Sequence, residues 1–457
     1  MIQLSDHFTY KKLLKFTLPS IAMMIFTSIY GVVDGFFVSN FAGDIPFKAV
    51  NLIMPFLMIL GTVGFMFGSG GTAIVANTLG EGKLETANRY FSLFTYVTFI
   101  LGVVFAVLGI VFIRPIAKLL GAEGKILENC VLYGRIILAA LPFLVLQYLF
   151  QSFFVAAEKP RLGLLVIIAA GVTNMVLDAV LVILLPVEYK LTGAAIATAA
   201  SQCVGGLIPI FYFFRKNGSI LRLGKTNFEG KAILKACTNG SSEFMSNVAM
   251  SIVGMLYNLQ LLEYAGENGV AAYGVMMYVS MIFSAAFIGY SIGTAPVIGY
   301  HNGAGNHAEL KGILKKSCGI LLVGGLLMFG AAELLAIPLA KLFVNYDNDL
   351  VKMTVHGFRI FSVAFPFIGF VIFSSGFFTA LNDGLTSALI SFLRTLVFQV
   401  TAVIALPLLW KPSVDGIWAS VVVAEMAAVL LSAFFIFIKR KKNISVKQTN
   451  VRKTLAF

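Results

Sequence analysis

Five acidic residues lie inside long apolar runs: Asp34, Asp178, Glu243, Glu333 and Glu425. A carboxylate among lipid-soluble side chains costs ~2.5 to 3.5 kcal/mol on insertion scales, so each needs a reason to be there. Asp34 stands at the middle of the first run, in Tyr30-Gly-Val-Val-Asp34-Gly. Asp178 stands at the middle of the fifth run, and Asn174, four residues earlier, shares its helix face. Thr198, in the sixth run, offers a hydroxyl that can complete a polar pocket. Two carboxyl groups brought together cannot both ionise cheaply, so the expectation is a pair that holds a proton or shares a Na⁺ ion between Asp34 and Asp178. Glu243, in Gly240-Ser-Ser-Glu243-Phe, and Glu425 are candidates for a second proton or substrate site. Glu333, near an outer boundary, reads as structural. Arg135 and Arg359 occupy matching positions and read as side chains that snorkel to the interface.

These residues need long helices to position them. Of the 457 residues 59% are hydrophobic and 12% charged, with a mean hydropathy of +0.91. Soluble domains carry about 25% charged residues, so a soluble globule is excluded and lipid is the expected solvent. Apolar runs bounded by Gly, Pro and charge place spans at 16–41, 50–79, 90–113, 130–157, 162–186 and 191–214. A second set lies at 238–263, 269–300, 312–335, 355–380, 385–408 and 415–438. The runs are too long for barrel strands, and the 43 glycines suit helices that approach closely. The fold class expected is therefore all-α and polytopic, with twelve transmembrane helices.

The chain also repeats itself. Gly71-Thr-Ala returns as Gly293-Thr-Ala, Pro115-Ile-Ala-Lys-Leu as Pro338-Leu-Ala-Lys-Leu, Gly134-Arg-Ile as Phe358-Arg-Ile, and Phe153-Phe as Phe377-Phe. The offset stays near 223 throughout, which predicts two pseudo-symmetric six-helix lobes. Residues 1–214 form the first lobe, 215–235 a basic linker, 236–438 the second lobe and 439–457 a basic tail. Because six is even, both lobes enter from the same side, and a cavity between them can open alternately to either face. At this offset Asp34 aligns with Tyr257 and Asp178 with Ala402, so the acidic pair belongs to the first lobe alone.

The net charge of +13 does not point to nucleic acid, because Lys and Arg fall in short loops between apolar runs. Loops on the side of both termini hold roughly threefold more of them, which places the termini in the cytoplasm of a multi-pass inner (cytoplasmic) membrane protein. The polar start and the long first run read as a retained span rather than a cleaved leader. Cys130, Cys203, Cys237 and Cys318 are dispersed, and the four histidines form no metal spacing. No span combines a nucleophile, a base and metal ligands, so neither an enzyme nor a cofactor is expected. Methionine and phenylalanine facing the cavity would give a deformable lining suited to many substrates, and the chain is expected to act as a monomer among membrane lipids.

Paired six-span halves, Pro19 followed by Asp34, the Asn174 and Asp178 pair, Gly-Ser-Ser-Glu243-Phe, and Gly80-Glu-Gly-Lys after the second span together resemble the multidrug and toxic compound extrusion transporters. The likeness covers nearly the whole chain and is closest to Gram-positive-type multidrug efflux members. It implies an antiporter that exports amphipathic, mostly cationic small molecules in exchange for H⁺ or Na⁺. It also implies that Asp34, Asn174, Asp178 and Thr198 bind the coupling ion and that the first helix bends at Pro19. Some branches use an acid in the tenth span, and this chain has none between Val355 and Ala380. Two rival architectures share the two-lobed plan. A major-facilitator transporter would carry an Asp-Arg signature after its second span and a long central loop, whereas the loop here reads Gly80 to Arg89 and the linker is short. A lipid-linked sugar flippase would present a cationic cavity, and the cavity expected here is acidic.

Overall fold

The computed structural model describes residues 2–344 and 347–454, with side chains described except at 36, 40, 343 and 440–454. Its first lobe contains α1 (Tyr10–Phe37), α2 (Asp44–Gly80), α3 (Leu84–Leu119), α4 (Gly124–Ala156), α5 (Pro160–Leu184) and α6 (Lys190–Phe214). Its second lobe contains α7 (Gly230–Gly303), α8 (His307–Val344), α9 (Asn348–Ser362), α10 (Phe365–Ala380), α11 (Gly384–Phe392), α12 (Val400–Leu409) and α13 (Ser413–Thr454). No strand occurs among the described residues.

Helix limits follow local chemistry. The Thr9 hydroxyl accepts from the Lys12 N–H to start α1, Pro160 supplies the first turn of α5, and Asp347 and Asp383 cap α9 and α11. Burial would raise the Asp383 carboxyl, but Lys439 and Thr386 outweigh it and hold it below the usual carboxylate range.

Among the described residues ten helical stretches, one of them α11 and α12 joined through Leu393–Gln399, are long and apolar enough to cross a membrane, and α9 with α10 makes a further span bent by 49°. The 74-residue α7 is two spans, because it turns at Gly266 (φ 65°). Tyr257 and Tyr273 stack at 5.1 Å, whereas sixteen residues of straight helix would separate them by ~24 Å. The expected twelve spans are thus present. Two of them differ in detail: the tenth is broken at Val363–Ala364, and the eleventh widens to a π-helix over Leu393–Gln399 before α12. A second π-turn, Val38–Ala42, follows Asp34 at the end of α1.

The lobes meet along α1, α2 and the two limbs of α7. A Cβ on Gly80 would lie 2.0 Å from the Tyr300 carbonyl oxygen, and one on Gly303 would lie 1.9 Å from that of Asn77. Gly80 and Gly303 are repeat equivalents, so each lobe presses the same position onto the other. Gly70 and Gly240 make a second such crossing, with hypothetical Cβ atoms 2.1 Å from the Ala236 oxygen and 1.9 Å from the Met66 oxygen. Only backbones without side chains can pack this closely. These crossings lie on the helix halves nearest the chain start and the connector between lobes. On the far halves, Gly31, Gly35, Gly254 and Gly274 have no neighbouring atom within 4 Å of a built Cβ. The seam is closed at one end, and the lobes part toward the other.

Residues 215–229 connect the lobes without regular secondary structure and are fastened to α3. Asn88 accepts from the Arg222 N–H at 2.6 Å, Ser92 accepts from the Gly224 N–H at 3.0 Å, and Arg89 pairs with Glu229 at 3.0 Å.

Candidate coupling-ion site

Four helices of the first lobe converge on Asp34. The Thr198 hydroxyl of α6 donates to Asp34 Oδ1 at 3.0 Å, and the Asn174 amide of α5 donates to the same oxygen at 3.4 Å. One turn along α5, Asp178 is fully buried (0% exposed), and its carboxyl group lies against that of Asp34. Tyr133 of α4 brings its hydroxyl near Thr198, Asp34 and Asp178. Gln147 of α4 donates to the Tyr30 hydroxyl at 3.4 Å, one turn before Asp34.

The structure therefore gathers Asp34, Asn174, Asp178 and Thr198 into one cluster. It adds Tyr133 and, through Tyr30, Gln147, which sequence reasoning did not single out. A signal was present: Gln147 and Gln151 are one turn apart in α4, so a polar face runs through an apolar helix. Acceptors outnumber donors. Besides the two carboxyl groups, Asn174 Oδ1 and Gln147 Oε1 are buried without a partner, and among the described residues the Tyr133 hydroxyl is the one unpartnered group beside them that can donate. A buried carboxyl pair among surplus oxygen acceptors fits a proton or a hard cation such as Na⁺, which prefers oxygen ligands. No group of three or more His, Cys, Asp or Glu side chains is placed to hold a metal ion among the described residues.

The other acidic positions stand apart. Glu243 is half-buried on α7, three residues beyond the Gly240 crossing in the second lobe. Glu425 is buried on α13 and is held by Arg394, with Nη2 to Oε1 at 2.7 Å and Nε to Oε1 at 2.8 Å. Glu333 accepts from Ser362 at 2.8 Å and lies 3.6 Å from Arg359. Arg135 and its counterpart Arg359 are both exposed; Arg359 lies against Glu333, whereas Arg135 stands beside a cavity of about 430 Å³ between α4 and α6. Pro19 lies within α1, which continues helically through it, next to Ser20 and Ile21 at the seam with Gly289. At the positions matching the acidic pair, the second lobe has Tyr257, hydrogen-bonded to Ser420 and stacked on Tyr273, and the buried Ala402.

The MatE family model matches this chain twice, over residues 19–180 and 244–404, one match in each lobe. The chain is 25% identical over 443 residues to the multidrug export protein MepA of Staphylococcus haemolyticus, covering 95% of this chain and 94% of that one. MepA of Staphylococcus aureus strain MSSA476 is 24% identical over the same shares of the two chains. Among solved structures, the outward-facing conformation of a multidrug resistance MATE transporter of the MOP superfamily superposes with a TM-score of 0.89 at 23% identity, covering 97% of this chain and 98% of that one. A MOP superfamily transporter from Pyrococcus furiosus, described as having a binding pocket of reverse polarity that suggests a different function, superposes with a TM-score of 0.87 at 22% identity over 95% and 96% of the two chains. With two family matches that fall on the two lobes and a fold shared end to end with MATE transporters, the chain belongs to the MatE family of multidrug efflux transporters.

Proposed function

We propose that this transporter is an antiporter of the cytoplasmic membrane that exports amphipathic, mostly cationic compounds in exchange for H⁺ or Na⁺, with both termini in the cytoplasm. The observation that carries this reading is a buried carboxyl pair, Asp34 and Asp178, confined to one lobe of a repeated fold. A feature needed only for folding would recur in both lobes. An ion site needs to exist once.

The coupling ion takes the place between Asp34, Asp178, Asn174 and Thr198. Binding removes the repulsion between the carboxylates and draws α1, α5 and α6 together. It can bias the lobe only by binding one shape more tightly than the other, so the carboxylate spacing must differ between states. Pro19 lacks the N–H that would tie it to the preceding turn, so α1 yields there most easily. With the termini in the cytoplasm, the closed seam is the cytoplasmic one, and the described state faces outward. In this cycle Glu243 and Glu425 stand as the candidate second proton or substrate site.

The test is expression in an efflux-deficient host, scoring resistance to ethidium-like dyes and quaternary ammonium compounds. The expected result is increased resistance that depends on Asp34 and Asp178. No gain for any such compound, with uptake or export of anionic lipid-linked cargo instead, would assign a flippase. Dye efflux with proton and Na⁺ gradients varied separately identifies the coupling ion.

A further inference from the structure

The segment before α1 touches both lobes at their closed end. On the first-lobe side, the Leu4 N–H donates to Glu158 Oε1, in the turn between α4 and α5, at 2.7 Å. On the second-lobe side, the Phe8 N–H donates to Glu309 Oε1 at 2.9 Å, His7 Nδ1 lies 2.6 Å from Glu309 Oε2, and Lys316 donates to the Phe8 carbonyl. Leu4 and Phe8 are almost wholly buried, and the Phe8 ring meets His301 of α7 edge-on.

Glu158 is the unexpected member of this set. It adopts φ 59°, in the left-handed region that disfavours a glutamate. Its repeat equivalent in the second lobe, Asn382, adopts φ 60°, and asparagine is among the residues that tolerate this conformation best. The turn is thus dictated by the fold, and asparagine is the natural occupant. Asn382 spends its side chain on Asn239 at 2.7 Å. Glu158 departs from the pattern with a side chain long enough to reach Leu4.

We infer that residues Gln3–Thr9 are a clasp that holds the two lobes shut at this end, and that the Leu4 to Glu158 bond keeps the clasp in its closing position. The segment runs into α1 of the first lobe and is pinned to that lobe at its far end by Glu158, which presents His7 and Phe8 to Glu309 and Lys316 of the second lobe. When the lobes separate, the segment stays with α1, to which it is joined at Thr9 and tied by the Asp6–Lys12 ion pair, and its contacts with Glu309 and Lys316 part. The strained backbone at Glu158 persists because its carboxylate makes the catch. This inference rests on the alternating-access reading above, since only a seam that opens needs a catch.

The test places one cysteine at Ser20, buried at the seam against Gly289, in full-length protein whose Cys130, Cys203, Cys237 and Cys318 are replaced by serine or alanine. The labelling rate with N-ethylmaleimide reports opening of the closed end and requires no transport substrate. Glu158→Asn copies the second-lobe turn, relieves the backbone and is too short to hold Leu4. Leu4→Pro removes the donor from the other side of the bond. Both should speed labelling roughly tenfold, the loss expected for one hydrogen bond to a charged group. In Glu158→Asn the melting temperature should stay level or rise. Unchanged labelling in both variants overturns the clasp. Faster labelling that tracks a fall in melting temperature in both variants also overturns it, because Glu158 would then be supporting the fold. A chain that exports nothing yet shows faster labelling would fail the transport reading while leaving the clasp standing.

Discussion

Asp34 and Tyr257 hold the same place in the two repeats, yet Asp34 accepts a hydrogen bond from Thr198 in a cluster of unpartnered acceptors, while Tyr257 is closed off by Ser420 and the Tyr273 ring. One position can change its charge, and the other is packed. Asp34→Asn and Asp178→Asn should each abolish export, because the amide keeps the size but cannot titrate, while expression and dye binding are retained. Tyr257→Phe should cost about 1 kcal/mol of stability for the lost hydrogen bond and leave export largely intact. Dye efflux from everted vesicles, alongside dye binding to purified protein, checks all three. Full export by Asp34→Asn would place coupling elsewhere, with Glu243 the first residue to examine.

Thr198 presents its hydroxyl to Asp34 from a different helix, so it reads the distance between α1 and α6. Thr198→Val preserves shape and removes the donor. Hydrogen bonds to charged groups contribute about 1.5 to 3 kcal/mol, so efflux at limiting ion gradient should fall by roughly tenfold or more. Thr198→Ser should restore it. Equal rates in the valine and serine variants would remove Thr198 from the site.

Arg394 and Glu425 form a buried ion pair in the second lobe, with Glu425 the more deeply buried partner. Arg394→Met alone leaves Glu425 uncompensated and should destabilise the protein by about 3 to 5 kcal/mol. Joining it with Glu425→Leu should recover most of that loss. Thermal melts of the single and double variants measure this, and transport by the double variant decides a further point. Export retained without either charge would exclude Glu425 as an ion carrier.

Gly80 and Gly303 press equivalent positions of the two lobes together, each with the other lobe's carbonyl where a Cβ would stand. Gly80→Ala and Gly303→Ala should therefore act alike, each forcing the closed end apart and lowering the population of the state described. Accelerated maleimide labelling at Ser20→Cys would show it, and the pseudo-symmetry requires similar effects from both. An effect from only one of them would mean that the crossing is not shared evenly.

If Asp34 and Asp178 are both loaded while one monovalent cation leaves, one net charge enters per cycle. At ~150 mV that supplies roughly 3.5 kcal/mol, a few hundredfold in substrate ratio. Exchange in proteoliposomes should then accelerate with an inside-negative potential. Potential-independent exchange would establish one ion per cation.

Much of this molecule was legible along the chain, because hydropathy, the repeat and intramembrane charge are local or periodic properties. Twelve spans, two lobes and an acidic pair in only one of them follow from residues read in order. The same reading could not see which polar groups meet. Asp34 is bound by Asn174 and Thr198 from 140 and 164 residues away, and helical periodicity says which face a residue occupies but not which helix packs against that face. Glu425 carried the same sequence signal as Asp34, an acid in an apolar run. Its partner Arg394 lies 31 residues away on a π-helical turn, and only the packing of that turn against α13 shows that its charge is matched. The twist of α9 against α10, the reach of Glu158 to Leu4 and the mirrored pressure of Gly80 on Gly303 were decided in the same way. Each depends on where two surfaces come to rest after the helices pack in three dimensions, a long-range outcome that no window of sequence contains.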